Sequence, residues 1–302
     1  MKYSIITTLL FLNFNLYAQI EHYKTYHDNG ALKMEHWTDV EKEIAYAISY
    51  FPNGTLEKKG EFLKNKEQNY WVFYHENGHL QSQGSFKLGQ KEGFWYYYYN
   101  NGTTEKKGHY KNGQPSEYWQ TYYDNGHIES DGYYNEGKQS GLWKFYFENE
   151  KLKKIGLFLN GTYQDNWKSY YENGQLASEG SYVDGAMQGY WNFYFENGLA
   201  QKKGNFENGK SVNYWQFYSE NGTIESEGHF VNGEKSDWWN YYDDSGKISY
   251  KCQFKNNKKN GYCLQYKNEE LVKAEKYKAG KKIKEWTDYS SFKKENSLSD
   301  LK

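Results

Sequence analysis

Residues 174 to 197 read GQLASEGSYVDGAMQGYWNFYFEN, and at Gly198 the stretch begins again. Counting Gly174 as position zero of a 24-residue unit, the tyrosine at position 20 recurs without insertion or deletion as Tyr26, Tyr50, Tyr74, Tyr98, Tyr122, Tyr146, Tyr170, Tyr194, Tyr218, Tyr242 and Tyr266. Position 17 is Trp71, Trp95, Trp119, Trp143, Trp167, Trp191, Trp215 and Trp239, so eight of the eleven tryptophans stand in one column. A fixed period of this length marks an array of supersecondary units, each stacked on its neighbours.

Two turns punctuate each unit. Asn-Gly at positions 23 and 0 (Asn77-Gly78, Asn101-Gly102, Asn125-Gly126, Asn221-Gly222) is a strong hairpin signal and predicts type I′ turns, since both residues tolerate positive φ. A second glycine column near position 11 (Gly89, Gly113, Gly137, Gly161, Gly185, Gly209, Gly233) predicts the other turn. Each unit is then two short strands, and the fold class is all-β: an elongated, single-layer antiparallel meander of about eleven hairpin repeats. At roughly 4.8 Å per strand such a sheet would be on the order of 100 Å long.

The spacings also set a register. With the Asn-Gly pair as one loop, the position-17 tryptophan faces position 6 of the next unit. With the other loop centred just after position 11, it faces position 6 of its own. Position 6 is Gly84, Gly108, Gly132, Gly156, Gly180, Gly204 and Gly228, so every indole is expected between two glycines, shielding backbone that lacks a side chain. Leu or Ile at position 2 and Phe or Tyr at position 8 share that face. The position-20 tyrosines and the acids, amides and lysines take the other. Position 4 alternates between lysine (Lys58, Lys106, Lys154, Lys202) and serine, which gives a 48-residue super-period. It is expected to set lysine near acid on the polar face, at about 0.2–1 kcal/mol per pair. Duplication of a two-unit block accounts for it equally.

These columns resemble the MORN repeat family in its bacterial variant, over roughly residues 23 to 286. The first unit departs from the pattern at His36, Ala45 and Ala47, and the last at Glu269-Glu270, as terminal units of arrays commonly do. The resemblance implies an extended β-meander used in binding or assembly, and some bacterial members are labelled antitoxins.

Around the array, residues 1–18 have a basic start, a short apolar core and Ala18 before Gln19, which predicts a secretory signal peptide rather than a membrane span. No cysteine follows that junction, so no lipoprotein anchor is expected. The organisation is thus a signal peptide (1–18), a repeat array (19–286) and a loose polar tail (287–302), in an exported protein of the periplasm, cell surface or medium. With 34 tyrosines, few aliphatic residues and a mean hydropathy of -1.13, stability must come from aromatic burial along the sheet.

A formal charge of -1 with interleaved lysines and acids gives no field for nucleic acid. Phosphate loops and nucleophile elbows are absent, and no catalytic or cofactor-binding set is found. His75 and His79 flank one turn, but no third metal ligand recurs at fitting spacing. The chain is therefore expected to be non-enzymatic and to bind another protein, with glycan binding as the alternative. Finally, Cys252 takes the position-6 column and Cys263 the position-17 column of one unit. The register makes them face each other, and an oxidising compartment would join them.

Overall fold

The structure is a computed structural model that describes residues 20–297, so the signal-peptide reading lies outside the described residues. These residues divide into two compact units, 20–104 with 110–114 and 105–109 with 115–297. Both units are antiparallel meanders in which each strand pairs with the next in the chain. In the first this runs from the strand Ile20–Tyr26 to Gln90–Tyr98. In the second it runs from Gln114–Tyr122 to Lys281–Trp286. All-β tandem hairpins are what the period demands.

The turns are distributed differently from the expectation. Positive φ at two consecutive residues, the mark of a type I′ turn, occurs at positions 10 and 11: Leu88 and Gly89 at 52° and 83°, Asn160 and Gly161 at 52° and 84°. At the Asn-Gly sites only the glycine is left-handed, as at Gly78 with φ 89°. There Tyr74 pairs with Leu80, Gly78 N donates to His75 O and His75 N to His79 O. The loop is thus a β-turn closed by a left-handed glycine. Asparagine is selected by its side chain: Asn77 Oδ1 accepts from His79 N at 3.0 Å while Nδ2 donates to Asn100 O, one unit on, at 2.8 Å. Asn173 and Asn197 reach Glu196 O and Glu220 O in the same way.

The tryptophan register holds despite this. Trp71 pairs with Gly84, Trp167 with both Gly156 and Gly180, and Trp239 with both Gly228 and Cys252. Bulges absorb the difference in loop length. Gly156 pairs with Trp167 while Leu157 pairs with Gln164, so Asp165 and Asn166 are extra on that side. Position 15 has positive φ throughout, as at Asn69, Gly93, Glu117, Gly141, Asp165, Gly189, Asn213 and Asp237. Glycine, asparagine and acids stand there because the bulge needs a left-handed residue.

In each unit one face of the strands carries a layer of aromatic rings. Each indole is met edge-on by the position-8 ring of its own unit, as Phe62 meets Trp71 at 4.9 Å and Phe206 meets Trp215 at 5.0 Å. It is flanked by a near-parallel position-19 ring, as Phe73 is to Trp71 at 5.8 Å. The position-4 lysines, expected among the acids, stand on this face. Lys154 Nζ is 4.2 Å from the Phe145 centroid and Lys202 Nζ 4.7 Å from that of Phe193. Pleating is the reason: position 4 has the parity of positions 2, 6 and 8. The other face carries positions 5, 16, 18 and 20.

The ends depart from the pattern by size exchange and by a cap. His36 stands opposite Ala47, reversing the small-large order of the glycine–tryptophan pair. The stretch after Trp286, expected as a loose tail, contains the helix Tyr289–Glu295, whose N-cap Asp288 accepts from Ser291 N at 2.8 Å. Phe292 is buried against Trp286 and Tyr262, with Leu264 and Ala274 beneath. A seven-residue helix is not stable alone; docking of one phenyl ring onto the last strands holds it.

Candidate binding surface

The eight indoles of the column are 0–4% exposed and are packing elements. Each lies on the glycine of its own unit, and each Nε1–H donates to the carbonyl that follows that glycine: Trp95 to Ser85 O, Trp143 to Tyr133 O and Trp191 to Ser181 O, at 3.0, 3.0 and 3.1 Å. The bulge interrupts the ladder at that carbonyl, and the indole supplies the missing donor.

The bulge also pushes position 16 outward on the opposite face. Tyr70 and Tyr190 are 54% and 52% exposed, and Phe94, Tyr118, Leu142 and Tyr214 are exposed as well. Strict alternation does not single this column out; the signal lies one residue before it, in the positive-φ residues of position 15.

Behind these rings runs a tyrosine–carboxylate network. Glu227 accepts from Tyr242 and from Gln216 Nε2 at 3.1 Å and Asn240 Nδ2 at 3.3 Å, and it is also bonded by Tyr214. Burial acts to raise its pKa, but these donors outweigh burial and hold it below the usual carboxylate range. Tyr118 donates to Asp131 at 2.7 Å, and Tyr194 to Glu179 at 3.1 Å. At two units where position 5 is lysine, the ammonium instead lies over the tyrosine ring, Lys107 over Tyr122 and Lys203 over Tyr218. Lys168 pairs with Glu179 at 3.3 Å.

Burial first, and the neighbouring carboxylate second, push Tyr146 and Tyr242 up to about 12; on the tryptophan face, burial pushes Tyr241 and Tyr250 up to about 12. Each folded-state value lies above the unfolded value of about 10. The associated stability is therefore complete below pH about 10 and lost as pH rises through about 12. The array is expected to unfold cooperatively in that window, with tyrosinate absorbance and far-ultraviolet dichroism changing together. Tyrosines titrating near pH 10 on an intact sheet would contradict this.

His75 and His79 are both engaged with the next unit: His75 Nε2 lies 2.9 Å from Tyr98 O and His79 Nδ1 2.9 Å from Asn100 O. Among the described residues no cluster of three or more histidine, cysteine or acidic side chains converges.

Cys252 stands opposite Cys263 with Cα atoms 4.0 Å apart, and the two sulfurs are joined. The pair replaces glycine and tryptophan where the array nears its edge. Removing it with Cys252→Ser and Cys263→Ser should cost roughly 2–3 kcal/mol by loop entropy. Intact mass without reductant checks the bond, and free thiols at both positions would contradict it.

With this geometry in view, a family profile described as a MORN repeat variant matches residues 68–88, 118–136, 139–160, 166–184, 212–232 and 239–256. The chain belongs to the MORN repeat family. The profile matches six times, in phase with the tryptophan column. MORN repeats are generally protein- or membrane-binding modules, and the family is non-catalytic. No curated protein matches the chain. Among solved structures, a Photorhabdus luminescens Tc holotoxin pore matches with 13% identity over 84% of this chain and 15% of that one, at a TM-score of 0.19. The crystal structure of TcdB2–TccC3 matches with 13% identity over 88% and 15%, at 0.17. This MORN chain thus spans 15% of the length of each, and neither likeness bears on function. Among its described residues no helix is long and apolar enough to cross a membrane.

Proposed function

We propose that this MORN array is an exported, non-catalytic module that binds a protein partner through its open sheet. One observation carries the reading: among the described residues only the helix Tyr289–Glu295 packs on the strands, at the last of them, and large rings stay exposed in a column at position 16. Exposed apolar groups arranged contiguously mark interaction sites, and repeat arrays use extended surfaces in this way. The burial of the indoles favours protein over glycan, because the flat tryptophan faces on which a sugar would stack are closed by neighbouring rings. The apolar leader at residues 1–18 supports export, and an oxidising compartment suits the Cys252–Cys263 pair.

Capture of envelope proteins by the full-length chain, run beside a glycan array, tests the binding reading. A defined protein should be retained by the wild type and lost with Tyr190→Ser/Tyr214→Ser, with the melting temperature little changed. Retention of one sugar and no protein would overturn it. Fractionation with N-terminal sequencing tests export: the mature chain should start at Gln19, and an uncleaved cytosolic chain would contradict the reading.

A further inference from the structure

In the tryptophan-bearing units the aromatic layer lacks its position-19 ring twice, at Thr121 and at Ser169. Position 19 supplies a ring in most units, Phe145, Phe193, Phe217 and Tyr241 among them. Each is flanked by the tryptophan two residues before it, at 5.9, 5.7, 6.0 and 6.4 Å between centroids. Phe145 and Phe217 also touch the tryptophan of the following unit, at 6.4 and 5.9 Å. Between Trp167 and Trp191 the residue is Ser169, and a cleft of about 240 Å³ opens there.

This cleft has the chemistry of a receptor for one ring. Trp167 and Trp191 line it with Tyr163, and the bonded hydroxyls of Ser169 and Ser178, 2.6 Å apart, lie within it. Its volume is below the range of about 300–1,000 Å³ for sites that take whole small molecules, and suits a single side chain. Lys154 also lines it, its Nζ donating to Tyr163 Oη at 2.9 Å and lying 4.2 Å from the Phe145 centroid. Among the described residues no carboxylate is paired with Lys154. The cleft therefore offers a recess, where most units hold a ring, beside a positive charge held by rings and a phenol oxygen; Trp167 and Trp191 themselves are 4% and 2% exposed, and Tyr163 packs on Trp167 at 4.2 Å.

We propose that this cleft is the anchor site for an aromatic side chain in an acidic stretch of the protein partner, the ring seating over Ser169 and Ser178 and a neighbouring carboxylate meeting Lys154. The proposal rests on the protein-binding reading above and locates one contact of it. N-acetyl-phenylalanine, its amide and methyl glucoside serve as probes with the full-length protein, followed by calorimetry and nuclear magnetic resonance. The acid should bind saturably at one site, roughly 2- to 5-fold tighter than the amide, and Lys154→Met should erase that difference. Ser169→Phe, which supplies the ring from within, should abolish binding of both while preserving or raising the melting temperature. Should that variant misfold, Ser169→Leu replaces it with the same expected loss. No saturable binding of the acid, binding unchanged by filling position 169, or displacement by methyl glucoside would each overturn the proposal. Capture of the same partner, undiminished, by Ser169→Phe would overturn the anchor and leave the protein-binding reading standing. Probe binding as expected with no protein captured would do the reverse.

Discussion

Gly180→Val is expected to lower stability by roughly 1–3 kcal/mol, the cost of overpacking a filled site, and to place the loss at the upper end of that range. A Cβ at Gly180 would lie 2.1 Å from Trp191 Cδ2 and 2.3 Å from Cε2, where no atom fits. The indole cannot swing aside cheaply, because its Nε1–H is bonded to Ser181 O at 3.1 Å and its faces and edges are held by Phe193 and Tyr182. Denaturant melts of this variant beside Gln175→Val, an exposed turn position, measure it. Equal stability of the two would mean that the indole does not lie on this glycine. Register alone leaves Trp167 and Trp191 as equal candidates for displacement; the ring of Trp167 lies on Gly156 instead, so Trp191 takes the strain.

Trp239→Ala should cost more, about 3–5 kcal/mol, as expected for truncating a buried tryptophan. Trp239 is fully buried. It is met by Phe230 edge-on at 5.0 Å and by Phe217 at 5.9 Å, and Lys235 Nζ sits 3.8 Å from its centroid. Removal opens a cavity, exposes Gly228 and leaves His229 O without its indole donor. Because units contact mainly their neighbours, the loss should fall on strands adjacent to Trp239 before the rest of the array. Hydrogen exchange reads this directly: protection lost evenly along the chain would contradict a local effect.

Much of the candidate surface was legible in the residues, though its parts were weighted differently. The tryptophan column is conspicuous because it recurs in eight successive units, yet its members are buried and serve packing. The position-16 column varies from Tyr70 to Leu142 to Asn166, so recurrence does not mark it, yet it holds the exposed rings. Its signal was at position 15, where glycine, asparagine and acids share a taste for positive φ. As the residues of a bulge, they explain both the outward rings and the indole hydrogen bonds. Ser169 likewise looked like one polar residue among many until its place between two indoles was known.

What followed from sequence alone was everything that depends on spacing: the 24-residue unit, two strands in each, tryptophan opposite glycine on both sides, and Cys252 opposite Cys263. Spacing suffices because an antiparallel ladder ties register to the sum of paired positions, and a bulge compensated for each misplaced turn. Tertiary structure decided whatever depends on which atoms fill shared space. It chose the glycine beneath each indole, gave Lys154 and Lys202 ring faces as partners, and folded residues 289–295 into a helix that Phe292 alone could not have announced. Those outcomes rest on desolvation and packing among residues a unit or more apart, and no period in the chain encodes them.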